Sequence, residues 1–244
     1  MSSHLHWLPT LPDADAAFAQ LKATADPAER FARIVALAGH QLDFVQTGKL
    51  DRYLERTVAE LPKLDERSEA MGGGDPASFA GGAGGKALRG VPGVQPVRVA
   101  WLGSSTLDHL LPSARIAALR RGLLMQSYLA PYGQYRQELL DRDSELAKFK
   151  PHVVLLCLDH EHVAPEATIG AMLGATAGDV EASVQAQVAD LRQLWRLCAE
   201  RLGCAVVHQT IPNLAPVLFG SFDRALPGAP AAVLDRLDRA LRDA

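Results

Sequence analysis

The sequence predicts an α/β fold: a parallel sheet with helices on both faces, preceded by a small helical N-terminal segment. Three observations carry that expectation. Apolar residues recur at three- and four-residue steps in the N-terminal region. Short apolar runs then alternate with helical patterns in the order βαβαβαβ. Between the two regions, nine of the 20 glycines fall in the 26 residues from Met71 to Pro96, a composition that reads as a flexible linker or loop. The expected organisation is therefore a helical segment over 1–70, a glycine-rich linker over 71–96 and an α/β domain over 97–244.

In chain order, Asp13 opens a helical stretch carrying Ala17, Phe18, Leu21 and Ala25, and Asp26-Pro27 reads as a cap followed by proline at the first helical position. Phe31, Ile34, Val35, Ala38, Leu42 and Val45 form a second stripe, which Thr47-Gly48 is expected to break. Leu50, Tyr53, Leu54, Val58 and Leu61 form a third, ended by Pro62. Val97 to Leu102 is the first strand, Gly103-Ser104-Ser105-Thr106 a tight turn, and Leu107 to Ala118 a helix. Leu124 to Ala130 and Val153 to Leu158 read as strands, the apolar run of the latter suggesting burial on both faces, and Ala205 to His208 as a fourth. Before that fourth strand, Val184, Val188, Leu191, Trp195, Cys198 and Leu202 mark a long helix capped by Gly203.

With 25 basic and 28 acidic residues the net charge is -3, so there is no basic footprint for nucleic acid and no polybasic patch for an anionic membrane. The N-terminus has neither a signal-peptide pattern nor an apolar run long enough to cross a membrane. Cys157, Cys198 and Cys204 have no disulfide or zinc spacing and read as core residues in a reducing, cytoplasmic protein.

In parallel sheets ligands sit at the carboxyl ends of the strands. The candidate site residues are accordingly Gly103 to Thr106, Tyr132 to Tyr135, Asp159 to His162 and Gln209 to Asn213. Ser104 and Ser105 sit in a glycine-led turn at the expected helix N-terminus. A serine there can be a nucleophile with its own N–H in an oxyanion hole, or an N-cap that satisfies the helix. His109 would share a helix face with Ser105. Asp159-His160-Glu161-His162 is the densest titratable cluster, able to supply an acid or base; an HxH pair without a third ligand is a poor metal site, and no metal or cofactor is expected. Tyr132 and Gly133 open a polar-aromatic loop, Arg136 could bind an anion, and Asn213 is a possible pocket amide.

Several runs together resemble the N-terminal region of the FkbH-like proteins: LHWLP (5–9), LDFVQTGKLDR (42–52), WLGSSTLDHLLPSARIAALRRGL (101–123), APYGQYRQELLD (130–141), FKPHVVLLCLDHEH (149–162) and FGSFDRALPG (219–228). The resemblance implies a flavodoxin-like, SGNH-hydrolase-like domain, normally fused to a phosphatase domain of the haloacid-dehalogenase type. It also implies a role in polyketide biosynthesis, where members load a glyceryl unit on an acyl carrier protein. On that resemblance Gly103-Ser104-Ser105 matches the first hydrolase block, with Ser105 as nucleophile and Ser104 where an aspartate is usual. Gly133 matches the oxyanion glycine of the second block. The third block falls on Leu158 to Glu161 without its asparagine, and the DxxH block is absent. His160 or His162, and more distantly His109 or His208, would then have to act as base. The DxDxT aspartates of the phosphatase are also absent, so the chain reads as stopping short of that segment and relying on a phosphatase-type partner domain. Three functions stay open: glyceryl or acyl transfer to an acyl carrier protein, a catalytically degenerate carrier-docking or scaffold domain, and a free-standing esterase.

Overall fold

A computed structural model describes residues 7–61, 94–165, 171–214 and 217–244. Most of the glycine-rich stretch, through Gly93, lies outside the described residues, as does the start of the LHWLP run. The three N-terminal helices are α1 (Ala14–Ala23), α2 (Pro27–Ala38) and α3 (Phe44–Glu60). Each begins on an aspartate that accepts from a backbone N–H three residues on. Asp13 takes the Ala16 amide at 2.9 Å and Asp26 the Glu29 amide at 2.7 Å, while Asp43 forms a capping box with Gln46.

That box corrects one expectation. The helix starts at Phe44 and runs through Thr47-Gly48 without a break, because a capped start and a buried face outweigh one glycine costing about 1 kcal/mol. Leu42 therefore lies between α2 and α3, and Val45 points to solvent.

The strands are β1 (Gln95–Gly103), β2 (Leu123–Leu129), β3 (Val153–Cys157) and β4 (Ala205–His208). They form one all-parallel sheet of order β2-β1-β3-β4, flanked by helices, which is the leading part of the flavodoxin-like order. In the register Gly103 pairs with Cys157 and Leu156 with His208, so three strands end at one edge of the sheet. β3 is not buried on both faces. Val154 and Leu156 are fully buried while Val153, Leu155 and Cys157 are only partly so, and in β4 Val207 is half exposed. An unbroken apolar run records which residues could be covered, not which face is.

The turn after β1 also differs. Leu107 is buried in the loop, Asp108–Leu110 form a single 3₁₀ turn, and the helix α4 spans Leu111–Leu119 with proline at its second position. Ser104 and Ser105 are therefore not at a helix N-terminus. α5 (Tyr135–Leu140), α6 (Glu145–Phe149) and the single turn α7 (His160–Val163) follow. α8 (Ala177–Leu197) extends through a π turn to Gly203, whose φ of +62° is the left-handed end expected of a glycine cap. α9 (Pro230–Arg242) is a helix the motif reading did not foresee. Val233, Leu234 and Leu237, at helical spacing, bury against α8.

The chain divides into two compact units. One comprises residues 1–97 and 108–126, so α4 clusters with the N-terminal helices and the units do not follow a single cut at residue 97. Its core joins Phe18, Leu21, Phe31, Ile34 and Leu50 to Ile116 and Leu119. Within it the Arg115 guanidinium donates to both oxygens of Asp51, at 2.7 and 2.5 Å, with Asp51 only 2% exposed. The other unit comprises residues 98–107 and 127–244, built on Leu102, Leu139, Leu146, Leu156, Leu158 and Leu191.

Candidate functional site

The carboxyl ends of β1 and β3 bring Ser104 and Asp159 together. The Ser104 amide donates to the Cys157 carbonyl at 3.2 Å, and its hydroxyl accepts from the Asp159 amide at 2.8 Å. Ser104 is 1% exposed, so this hydroxyl is a buried bolt between two strand ends. It serves neither as a helix cap nor as an open nucleophile.

Asp159 caps the turn α7. One carboxylate oxygen accepts from the His162 amide at 3.1 Å and lies 2.9 Å from His162 Nδ1. Burial by itself pushes the Asp159 carboxyl up. Hydrogen bonds from the His162 ring, the Ser104 hydroxyl and the His162 amide outweigh it and hold the group below the ordinary carboxylate range. An ionised Asp159 accepts a proton-bearing Nδ1, which leaves Nε2 of His162 as the basic nitrogen. The exposed Tyr132 ring stands edge-on to His162, with centroids 6.3 Å apart. This is a carboxylate-oriented imidazole at a sheet edge, an arrangement able to take a proton from a nearby hydroxyl, thiol or water.

The other expected members do not complete a hydrolase. Ser105 is exposed, and among the described residues its hydroxyl bonds to no base. The Gly133 N–H, expected to hold an oxyanion, instead donates to the Gly103 carbonyl at 3.3 Å, with Gly133 at φ +70°. His160 is nine-tenths buried, and its Nδ1 has no partner among the described residues. His109 belongs to the helical unit.

His208 has its Nδ1 engaged by the Trp195 indole N–H at 3.3 Å, and burial pushes its imidazole down. A ring that accepts at Nδ1 carries its hydrogen on Nε2, so this histidine is not a free base. Arg136 is not free for an anion. Its guanidinium grips both oxygens of Asp190 on α8, and that hydrogen bond, ahead of all other causes, raises its already high pKa. Asn213 spends its Nδ2 on the Ala231 carbonyl at 3.0 Å and on Asp235 at 2.8 Å, both on α9.

Burial pushes the Cys157 thiol up, away from nucleophilic reactivity. Buried Cys198, hydrogen-bonded by the neighbouring Cys204 thiol, is also held up. The described residues contain no cluster of three or more potential metal ligands and no helix long and apolar enough to cross a membrane. Sequence reasoning missed Asp190 as the partner of Arg136. Its place on the long helical pattern was visible, but its meeting with the β2 loop was not.

No protein-family model matches the chain, and no curated protein matches it. Among solved structures, the N-terminal part of the protein BF1531 from Bacteroides fragilis, described as containing a phosphatase domain and complexed with Mg, is similar at 16% identity and a TM-score of 0.50. The match covers 62% of this chain and 38% of that one, so this chain corresponds to well under half the length of its structural neighbour. At that identity the likeness is one of fold.

Proposed function

We propose that this chain is the α/β domain of an FkbH-type glyceryl- or acyl-transfer system, that it docks an acyl carrier protein, and that it forms no acyl-enzyme on Ser105. The observation that carries the second half is the Gly133 amide. Bonded to the Gly103 carbonyl, it has no donor left for an oxyanion, and a tetrahedral intermediate on Ser105 would lack a stabilisation usually worth about 3 kcal/mol. The FkbH assignment rests on the sequence resemblance and agrees with the fold of the BF1531 fragment. A phosphatase-type partner domain would supply the remaining chemistry.

The test pairs binding with labelling. A phosphopantetheinylated carrier protein should bind Ser105→Ala as it binds the native chain, and a fluorophosphonate probe should leave Ser105 unmodified. Labelling at Ser105, or loss of carrier binding in Ser105→Ala, overturns the reading.

One observation favours a second reading, in which the chain is an acyltransferase or free-standing esterase. The Asp159-oriented His162 could take the proton of an incoming thiol or water through Nε2, so that the nucleophile attacks the acyl carbonyl directly. Turnover of a p-nitrophenyl ester or acyl thioester that is lost in His162→Gln selects it. Absence of turnover in the native chain ends it.

A further inference from the structure

The segment just before α9 turns apolar side chains outward on a rigid frame. Val217 is 72% exposed, Leu218 44%, Phe219 49% and Phe222 63%. The frame is Asp223, itself only 4% exposed. Its two carboxylate oxygens accept from the Leu218 and Phe219 amides, each at 2.9 Å, and Gly220 at φ +61° closes the turn. A loop that merely failed to find a core would not be held by a buried carboxylate. This one spends a charge to keep two aromatic rings and two aliphatic side chains in solvent.

We infer that this turn is the contact surface between two copies of the chain, joined about a two-fold axis. Two arguments select a second copy over another partner. The four side chains expose about 400 Å² of apolar surface, within the range of the largest patches that monomers show. Two copies would cover about 800 Å². Where roughly two thirds of a homodimer interface is apolar, that implies about 1,200 Å² in all, the lower edge of a stable interface.

The second argument is charge. From Gln209 to Ala229 the only charged residues are Asp223, which is buried, and Arg224. The segment brings only one exposed charge of its own, Arg224, so two copies of it can meet with little like-charge repulsion between their own side chains.

Sedimentation or light scattering on the full chain, over a range of concentrations, should show a species of twice the 26.2 kDa chain mass. Phe222→Glu and Val217→Glu should each raise the dimer dissociation constant at least about tenfold, with the circular dichroism spectrum unchanged. Phe44→Glu, at an equally exposed ring on α3, should leave the dimer intact. A native chain that stays monomeric throughout, whatever other protein it captures, overturns the inference, as does a dimer that survives both Phe222→Glu and Val217→Glu.

Discussion

Ser104 and Asp159, 55 residues apart in sequence, are joined by a hydrogen bond of 2.8 Å from the Asp159 amide to the Ser104 hydroxyl, and that bond sets the whole candidate site. It places the start of α7, and so the carboxylate that orients His162. Ser104→Ala should cost about 1–3 kcal/mol in urea denaturation, because it leaves the Asp159 amide without its acceptor. It should also move the Asp159 carboxyl up toward its ordinary range, which an NMR titration of that side chain would read. An unchanged midpoint would show that the bond contributes nothing.

The buried pair in the helical unit should matter more than any surface pair. Asp51 is 2% exposed and its hydrogen bond is the main reason the Arg115 pKa is raised, so Asp51→Ala leaves a largely buried guanidinium with only the more exposed Glu55 carboxylate, 3.0 Å away. The expected loss is about 3 kcal/mol in chemical denaturation. Glu145→Ala, which breaks the exposed Lys148–Glu145 pair, should leave the denaturation midpoint nearly unchanged. Equal costs for the two substitutions would contradict this.

His208 gives the stability a pH dependence whose sign follows from burial. Its folded pKa is lowered while the unfolded chain titrates near the ordinary value of about 6.5, so below that pH the unfolded state binds the extra proton. Stability should be fully present above pH of about 6.5 and fall as the pH drops toward the lowered folded value. Thermal melts through this range, compared with His208→Gln, should show the slope reduced in the variant. An identical slope in both would place the titration elsewhere.

Gly228 is a glycine for reasons of space. A Cβ there would come within 1.6 Å of the Met172 carbonyl oxygen, which is backbone and cannot swing aside. Gly228→Ala should destabilise the unit by about 1–3 kcal/mol, with the loss read in a melting curve. Gly48→Ala meets nothing within 4 Å and lies inside α3, so it should instead stabilise by about 0.5–1 kcal/mol.

The legible parts of this protein were the local ones. Asp13 could be read as a helix start and Asp26 as a cap because each bonds to an amide only three residues away. The fourth strand, Ala205 to His208, was legible in full, and Gly203 before it could be read as a helix end because only a left-handed residue closes that turn. The start of α4 was not legible. Leu107 and Leu110 match the helical spacing, yet Leu107 is buried in the loop and the chain enters the helix only at Leu111. α9 is not marked by any motif, and its apolar positions Val233, Leu234 and Leu237 gain their meaning only from packing against α8.

The sequence by itself determined the four strands, the three N-terminal helices, the long helix before the fourth strand and the sheet class, since these follow from periodicity, capping and the alternation of strand and helix. Tertiary structure alone decided what each candidate is free to do. Gly133 lost its amide to Gly103, Arg136 its charge to Asp190 across 54 residues, and Ser104 became a bolt between strand ends rather than an open pocket residue. The physical reason is that a donor or a charge is available only if no other group satisfies it. Its competitors come from distant parts of the chain that only the fold brings within 3 Å or so.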